Sequence, residues 1–199
     1  MYSKLFLLLS AVIILLSCSK DKTVYQATEK LNPYILYNEA YDAFEVNDFF
    51  NASKKFSEAE INFEKIDLAA KSAIMSCFSL YGINFYDEAL DCIERFTNTY
   101  PSDKKLIYAE YLKAVIFFEQ MSDEKKDIKP LLDASKQIEI FIDKYPNSDY
   151  AIDLKFKKNL IVNQLAAKEL YIAKYYISTQ KWIPAINRLK TIVDKYDKT

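Results

Sequence analysis

Two hydrophobic patterns divide this chain. Residues 5–16 form a short, almost wholly apolar run that follows a single cation, Lys4. A helix needs about 20 residues to cross a bilayer, so this run is too short and predicts a signal peptide over residues 1–17. From Pro33 onward, apolar residues recur at the three- and four-residue spacings of amphipathic helices. Residues 18–32 between these patterns are polar and weakly periodic, which is typical of a tether.

Small residues recur twelve positions apart within the helical part of the chain. Each pair brackets a turn with an aromatic residue, and apolar residues follow the second member after four and seven positions. A small residue lets two helices approach closely, and the Tyr100-Pro101 and Tyr145-Pro146 steps stop the second helix. The pattern resembles the tetratricopeptide repeat and predicts an all-α solenoid of about four helix pairs over residues 33–199. The small pairs are Ala40 and Ala52, Cys77 and Ala89, and Ala173 and Ala185.

The third repeat departs from this spacing. Its small residues, Ala114 and Ala134, lie twenty positions apart rather than twelve. We interpret the extra residues as a polar loop around residues 122–127, inside the helix pair. A long helix is expected over residues 150–176, before the turn of the fourth repeat. The predicted repeats cover about 33–65, 70–101, 106–146 and 150–197.

Aromatic residues recur along one face of the first helix in each of the first two repeats. Such a stripe is either ordinary core or an exposed, aromatic-lined groove for a peptide. Leu36, Ala40 and Phe56 already supply the seam between the first two helices, which favours exposure of part of the stripe. Tyrosine suits a groove because it offers apolar area together with a hydroxyl group. The candidate groove residues are Tyr34, Tyr37, Tyr41, Phe44, Phe78 and Tyr81.

Composition argues against most enzymatic functions. The chain has one glycine and no histidine, beside 16 tyrosines and 13 phenylalanines. A single glycine excludes the glycine-rich phosphate loops, and the lack of histidine removes the commonest general base and most zinc sites. The 27 basic and 28 acidic residues balance, so nucleic acid is not an expected partner. We assign no catalytic residue, metal or cofactor, and expect a protein that is not an enzyme.

The first of three cysteines ends the apolar run. The sequence Leu15-Leu16-Ser17-Cys18 resembles the bacterial lipobox, although Leu16 is unusual at its position. In a lipobox the cysteine is acylated and becomes the N-terminus after cleavage. By the same resemblance, Ser19 in the next position favours the outer membrane over the inner one. The alternative is an ordinary signal peptide with an incidental cysteine.

The other two cysteines, Cys77 and Cys92, fall on the two helices of one predicted hairpin. A disulfide between them is conceivable in an oxidising periplasm. Two small buried thiols that fill a contact between helices are the favoured interpretation. Neither is expected to be catalytic, because no histidine is present to activate a thiolate.

A more specific resemblance extends over essentially the whole chain. The interrupted third repeat, the lipobox and a series of residues in the second half resemble the BamD family, the tetratricopeptide lipoproteins of the outer-membrane β-barrel assembly machinery. The residues of the second half are Tyr145-Pro146-Asn147-Ser148-Asp149-Tyr150, Leu165-Ala166, Glu169, Ala173-Lys174-Tyr175-Tyr176, Trp182, Ala185 and Asn187-Arg188.

This resemblance implies a lipid-anchored adaptor on the periplasmic face of the outer membrane. Its N-terminal repeats would hold segments of unfolded outer-membrane proteins, whose C-terminal strands are rich in aromatic residues. Its C-terminal repeats would dock on the barrel-forming subunit, beside companion lipoproteins. Arg188, with Asn187 beside it, is the expected site of an ion pair with that subunit. The family normally has a fifth repeat, whereas four fit these 199 residues, so either the sequence is a fragment or this lineage is truncated, and part of the docking surface would then be missing.

Other tetratricopeptide lipoproteins are the main alternatives. One alternative is an adaptor that recruits cell-wall hydrolases. The Asn187-Arg188 segment argues against this alternative. Another would be an assembly factor for pili or secretins, which shares the repeat architecture.

Overall fold

Helices joined by short connections make up the described part of the chain. The computed structural model describes residues 31–121 and 127–197, and within these ranges it contains eight helices and no strand. The predicted all-α fold is confirmed. The signal peptide, Cys18, the tether up to residue 30, and residues 122–126 and 198–199 lie outside the described residues. The helices are α1 (Pro33–Glu45), α2 (Phe49–Asn62), α3 (Ile66–Gly82), α4 (Tyr86–Thr99), α5 (Leu106–Glu119), α6 (Lys129–Lys144), α7 (Asp149–Ser178) and α8 (Trp182–Lys195).

The helices stack in the order of the chain. Each helix packs against the next one, and α3 also contacts α5, which in turn contacts α7. The first members of the helix pairs therefore form one layer of the stack, as in an α-solenoid. The small residues that predicted the pairs are buried: Ala40 and Ala52 have no exposed surface, and Ala185 is 2% exposed. Their size allows the close approach of the helix backbones.

The turns inside three of the pairs share one backbone feature. Asn47, Asn84 and Gln180 each adopt a positive φ of about 60° between the two helices of a pair. Asparagine tolerates this left-handed conformation better than most residues, so these turns need no glycine. Gly82 instead provides space, because a Cβ atom there would lie 3.0 Å from the ring of Phe49.

The hydrophobic core of the middle helices consists of two clusters, and few residues are buried in α8. One cluster joins α3, α4 and α5 around Ile93 and Phe96, and a second joins α5, α6 and α7 around Ile138 and Leu154. In α8, only Ala185 is buried. The apolar side chains of α8 are therefore mostly accessible in the described part of the chain.

A disulfide joins Cys77 of α3 to Cys92 of α4. The favoured interpretation of two unpaired thiols was wrong. The two Cα atoms lie 5.4 Å apart, within the range that a disulfide spans. Small residues on both helices bring the backbones to this distance, and neither spacing nor composition could establish it.

Candidate peptide groove and docking face

Four of the six candidate groove residues contact one another in series, and the other two, Tyr34 and Tyr37, contact rings of α2 and its C-terminal end instead. Phe44 connects α1 to α3, because its ring centroid lies 5.8 Å from that of Phe78. The ring centroids of Phe78 and Tyr81 lie 5.8 Å apart, and those of Tyr41 and Phe44 lie 6.4 Å apart. Tyr37 contacts Phe56 at 5.3 Å. These separations are those at which aromatic rings attract each other, so the fold brings the two predicted stripes together.

Both interpretations of the stripe apply, but to different residues. Tyr37 and Phe44 pack against the core between α1 and α2, and are only partly accessible. Tyr34 and Tyr41 are 54% and 45% exposed. The inner rings therefore support the fold, while the outer rings present aromatic surface to the solvent.

A groove of about 920 Å³ lies beside this stripe. Phe44 and Phe78 line it, whereas the other four candidates do not. Four helices contribute to its walls: α1, α3, and the regions around the N-termini of α5 and α7. The lining residues that sequence reasoning did not assign to the groove are Lys71, Ile74, Met75, Lys104, Lys105, Ile107, Tyr108, Asn147, Ser148, Asp149 and Tyr150.

The far wall of the groove is built from packed tyrosines. Tyr111 stacks on Tyr150 with a centroid separation of 4.6 Å and donates a hydrogen bond of 2.9 Å to Asp153. Burial raises the pKa of Tyr108 well above its ordinary value, so its hydroxyl is neutral at physiological pH. This wall is therefore uncharged at its tyrosines and fixed by contacts between α5 and α7.

Three lysines border the groove. Lys71, Lys104 and Lys105 line both the groove and an adjoining polar cavity of about 570 Å³. The groove lining has one acid, Asp149, and the polar cavity adds Asp67 and Asp103. The apolar floor of the groove thus meets, at one side, a polar border in which three lysines face three acids.

The predicted interface residues lie at the junction of α7 and α8. The Arg188 guanidinium contacts the carboxylate of Glu169 at 3.1 Å, and thus connects α8 to α7 within this chain. Asn187 is exposed, and both residues line a hollow of about 240 Å³. The expected ion pair of Arg188 with a partner remains a prediction.

Apolar side chains are exposed along α8. Trp182, Ile186 and Val193 lie on one helix face and are 59%, 61% and 69% exposed. Ile183 beside them is 75% exposed. An accessible apolar surface of this kind is typical of a protein interface. None of the helices in residues 31–121 and 127–197 is long and apolar enough to cross a membrane.

Comparison with known proteins gives a uniform result. The model of the family YfiO, described as "Outer membrane lipoprotein", matches residues 29–199. "Outer membrane protein assembly factor BamD" of Rickettsia prowazekii is 29% identical over 198 residues, which cover 98% of this chain and 79% of the relative. The protein of the same name from Caulobacter vibrioides is 30% identical over 165 residues, which cover 83% of this chain and 54% of the relative. The protein of that name from Neisseria gonorrhoeae is 27% identical over 209 residues, which cover 98% of this chain and 78% of the relative.

Proposed function

The chain belongs to the YfiO/BamD family of outer membrane lipoproteins, and from this premise we propose that it is an adaptor in the assembly of outer-membrane β-barrel proteins. The assembly-factor names of its relatives indicate a role without catalysis. The adaptor would bind segments of unfolded outer-membrane proteins and hold them near the barrel-forming subunit.

The observation that carries this proposal is the groove and its aromatic border. An extended strand of a β-barrel protein alternates apolar residues, which face the lipid, with polar ones. Phe44, Ile74 and Phe78 give the groove an apolar floor for the first kind. The exposed rings of Tyr34 and Tyr41 extend the aromatic surface beyond the groove. Tyrosine hydroxyls can exchange hydrogen bonds with polar groups of the bound segment.

The C-terminal helices would dock on the barrel-forming subunit. The exposed face of α8, with Trp182 and Ile186, offers the apolar centre that stable interfaces need. Arg188 and Asn187 lie on the same helix and would form part of its polar border.

An acyl anchor at Cys18 would hold the adaptor on the periplasmic face of the outer membrane. Metabolic labelling with a radioactive fatty acid should label the wild type, and replacing Cys18 with alanine should abolish the label. Unchanged labelling of the variant would contradict lipid attachment at this residue.

Site-specific photo-crosslinking tests the peptide role. A photo-reactive residue at Tyr41 should capture unfolded outer-membrane protein precursors, because this position borders the aromatic surface. A matched probe at Ile61, which is 82% exposed and lies near the end of α2, is the control. Equal capture at the two positions, or no capture at Tyr41 by the folded protein, would refute peptide binding at this face.

Affinity purification from membranes separates the proposal from a role in cell-wall remodelling or pilus assembly. The proposal requires a large β-barrel protein among the partners. Recovery of a cell-wall hydrolase or a secretin instead would support one of those alternatives.

A further inference from the structure

We infer that the end of the stack at which the chain enters α1 rests on a phospholipid surface, with exposed apolar side chains of that end among the lipid headgroups. The inference rests on the acyl anchor at Cys18 that the proposed function includes. It adds an orientation to that anchor. Acylation alone would let the folded part face the membrane in any direction, whereas this contact turns one end of the first three helices towards it.

Large apolar side chains are exposed at one end of the first three helices. Successive helices with short connections pack against each other and run antiparallel, so the start of α1, the end of α2 and the start of α3 share this end. The ring centroid of Tyr34 accordingly lies 5.2 Å from that of Phe63, the residue after α2. Four aliphatic residues of this end are more than half exposed: Leu31, Ile35, Ile61 and Ile66.

The connectivity of the chain favours a membrane as the occupant of this end. Residues 19–30, twelve in all, separate Cys18 from Leu31. A chain of this length spans at most about 45 Å when fully extended, which bounds the distance between the acylated cysteine and this end. A bilayer surface is therefore always within reach of the exposed aliphatic side chains, whereas a protein partner would have to arrive by diffusion.

The opposite end of the same helices provides a comparison. It exposes Val46, Phe50 and Phe85 near the turns, so apolar exposure alone does not distinguish the two ends. Helix α1 has 13 residues, which separates the ends by about 20 Å. A membrane that contacts one end therefore leaves the other in water. Because the chain enters at Leu31, the anchor favours contact with the first end.

The charged side chains of this end are compatible with an interfacial contact. Glu64, Lys65 and Asp67 are exposed, so their charges can stay in the hydrated headgroup layer while neighbouring aliphatic side chains reach the acyl boundary. One lysine beside two acids gives no net positive charge that would attract anionic lipids. We therefore expect apolar burial to drive the contact, without strengthening by anionic lipid.

Quenching of a fluorescent dye by labelled lipids tests this orientation. The acylated protein is purified from membranes and reconstituted into vesicles of phosphatidylethanolamine and phosphatidylglycerol, in which some lipids carry a nitroxide beside the headgroup. An environment-sensitive dye is attached at Ile66→Cys or, as the matched control, at Val46→Cys. These two positions are 72% and 73% exposed and lie at opposite ends of the helices. The disulfide keeps Cys77 and Cys92 from reacting with the dye.

The two positions should respond differently to the vesicles. The dye at position 66 should emit at shorter wavelength and be quenched by the nitroxide lipid, whereas the dye at position 46 should keep the emission it has in water. Replacing phosphatidylglycerol with phosphatidylcholine should not reduce the quenching. With the dye at Ile35→Cys, a second substitution Ile61→Glu should weaken the quenching, because it places a charge in the contact. Phe50→Glu, at the opposite end, should leave it unchanged.

Each contrary result has a distinct meaning. Emission as in water at both positions of the vesicle-bound protein would overturn the inference and leave the anchor and the peptide role intact. Equal quenching at both positions would overturn the assignment to this end. A shift at position 66 without quenching by lipid would indicate contact with a second copy of the chain, and would overturn the membrane contact. Absence of a fatty acid on Cys18 would overturn the anchor and the inference together.

Discussion

The carboxylate of Glu60 is nearly buried at the junction of the first two helix pairs, where charged and polar side chains surround it. Its side chain is 7% exposed, and Arg95 of α4 binds it through two hydrogen bonds of 2.6 and 2.8 Å. The hydroxyl of Tyr100 donates a third, of 2.9 Å. A buried carboxylate is costly unless such partners surround it. The cluster thus connects α2 to the end of α4 and fixes the angle between two pairs.

The raised pKa of Tyr100 predicts that the folded protein loses stability at alkaline pH. Burial, together with the hydrogen bond to Glu60, raises its pKa from 10.0 to about 12. Between these values the unfolded chain loses the proton while the folded chain keeps it, so the free energy of unfolding falls as pH rises from 10 to 12. Urea unfolding across this range should show that fall, and Tyr100→Phe should make it shallower. The exposed Tyr175→Phe is the control, and an equal effect of both substitutions would contradict the assignment.

Two substitutions can separate a role of Arg188 in binding a partner from its role in the ion pair with Glu169 within this chain. Arg188→Gln and Glu169→Gln both break the same ion pair, so each should cost about 1 kcal/mol or less in stability. If Arg188 also binds the barrel-forming subunit, only Arg188→Gln should reduce the recovery of that subunit in a pull-down. Equal recoveries would leave the arginine with a role inside this chain alone.

At the scale of elements, one repeat position holds the two helices of a pair together. In three of the four pairs, the residue three positions after the buried alanine of the second helix is bonded to the first helix. Two of these bonds are ion pairs and one is the disulfide, so different chemistry serves the same position. The bonded residues are Lys55 and Glu39, Cys92 and Cys77, and Arg188 and Glu169.

The disulfide should contribute measurably to stability. It closes a loop with a sequence separation of 15, for which the chain-entropy estimate is about 3 kcal/mol. Chemical denaturation of the double variant Cys77→Ala and Cys92→Ala should show a loss of this order. Adding a reductant should destabilise the wild type and leave the double variant unaffected. Mass spectrometry of the untreated protein should show two hydrogens fewer than the fully reduced chain, and a mass equal to the reduced one would contradict the bond.

At the scale of the whole molecule, the two ends of the stack differ. The groove draws its walls from the first pair to the start of α7, so it exists only when those helices are stacked. At the other end, α8 buries one alanine and exposes a tryptophan and several aliphatic side chains. Under the proposed function, the groove would hold an extended peptide and the α8 face would contact a folded partner.

The α8 face should matter for docking and little for folding. Trp182→Ser with Ile186→Ser removes side chains that are 59% and 61% exposed, so the free energy of unfolding should change by only about 0.5 kcal/mol. Pull-down of the barrel-forming subunit should fall by about tenfold or more, because exposed aromatic anchors dominate interface energies. Ile61→Ser, which removes an 82% exposed apolar side chain from another part of the surface, should leave recovery unchanged. Loss of recovery in that control would indicate a non-specific effect.

Patterns of residue size and polarity were enough to predict the all-α solenoid, and the resemblance of specific residues indicated the family. Small residues twelve positions apart report helix packing directly, since a helix pair cannot close around large side chains at those positions. The same reasoning proposed six aromatic residues for a peptide groove, and two of them, Phe44 and Phe78, line the groove of the structure. Helical spacing gives the face of a residue but not its depth in the stack, so it could not separate these two from Tyr34, Tyr37, Tyr41 and Tyr81.

The amino-acid sequence by itself therefore determined the repeated helix pairs, and only the tertiary structure decided what the pairs build between them. Lys71, Lys104 and Tyr150 reach one groove from segments that are far apart along the chain. The bond between Cys77 and Cys92 likewise depends on a backbone distance of 5.4 Å. Spacing along one helix is a local property, whereas a groove and a disulfide depend on distances between helices, which the packing of the whole stack sets.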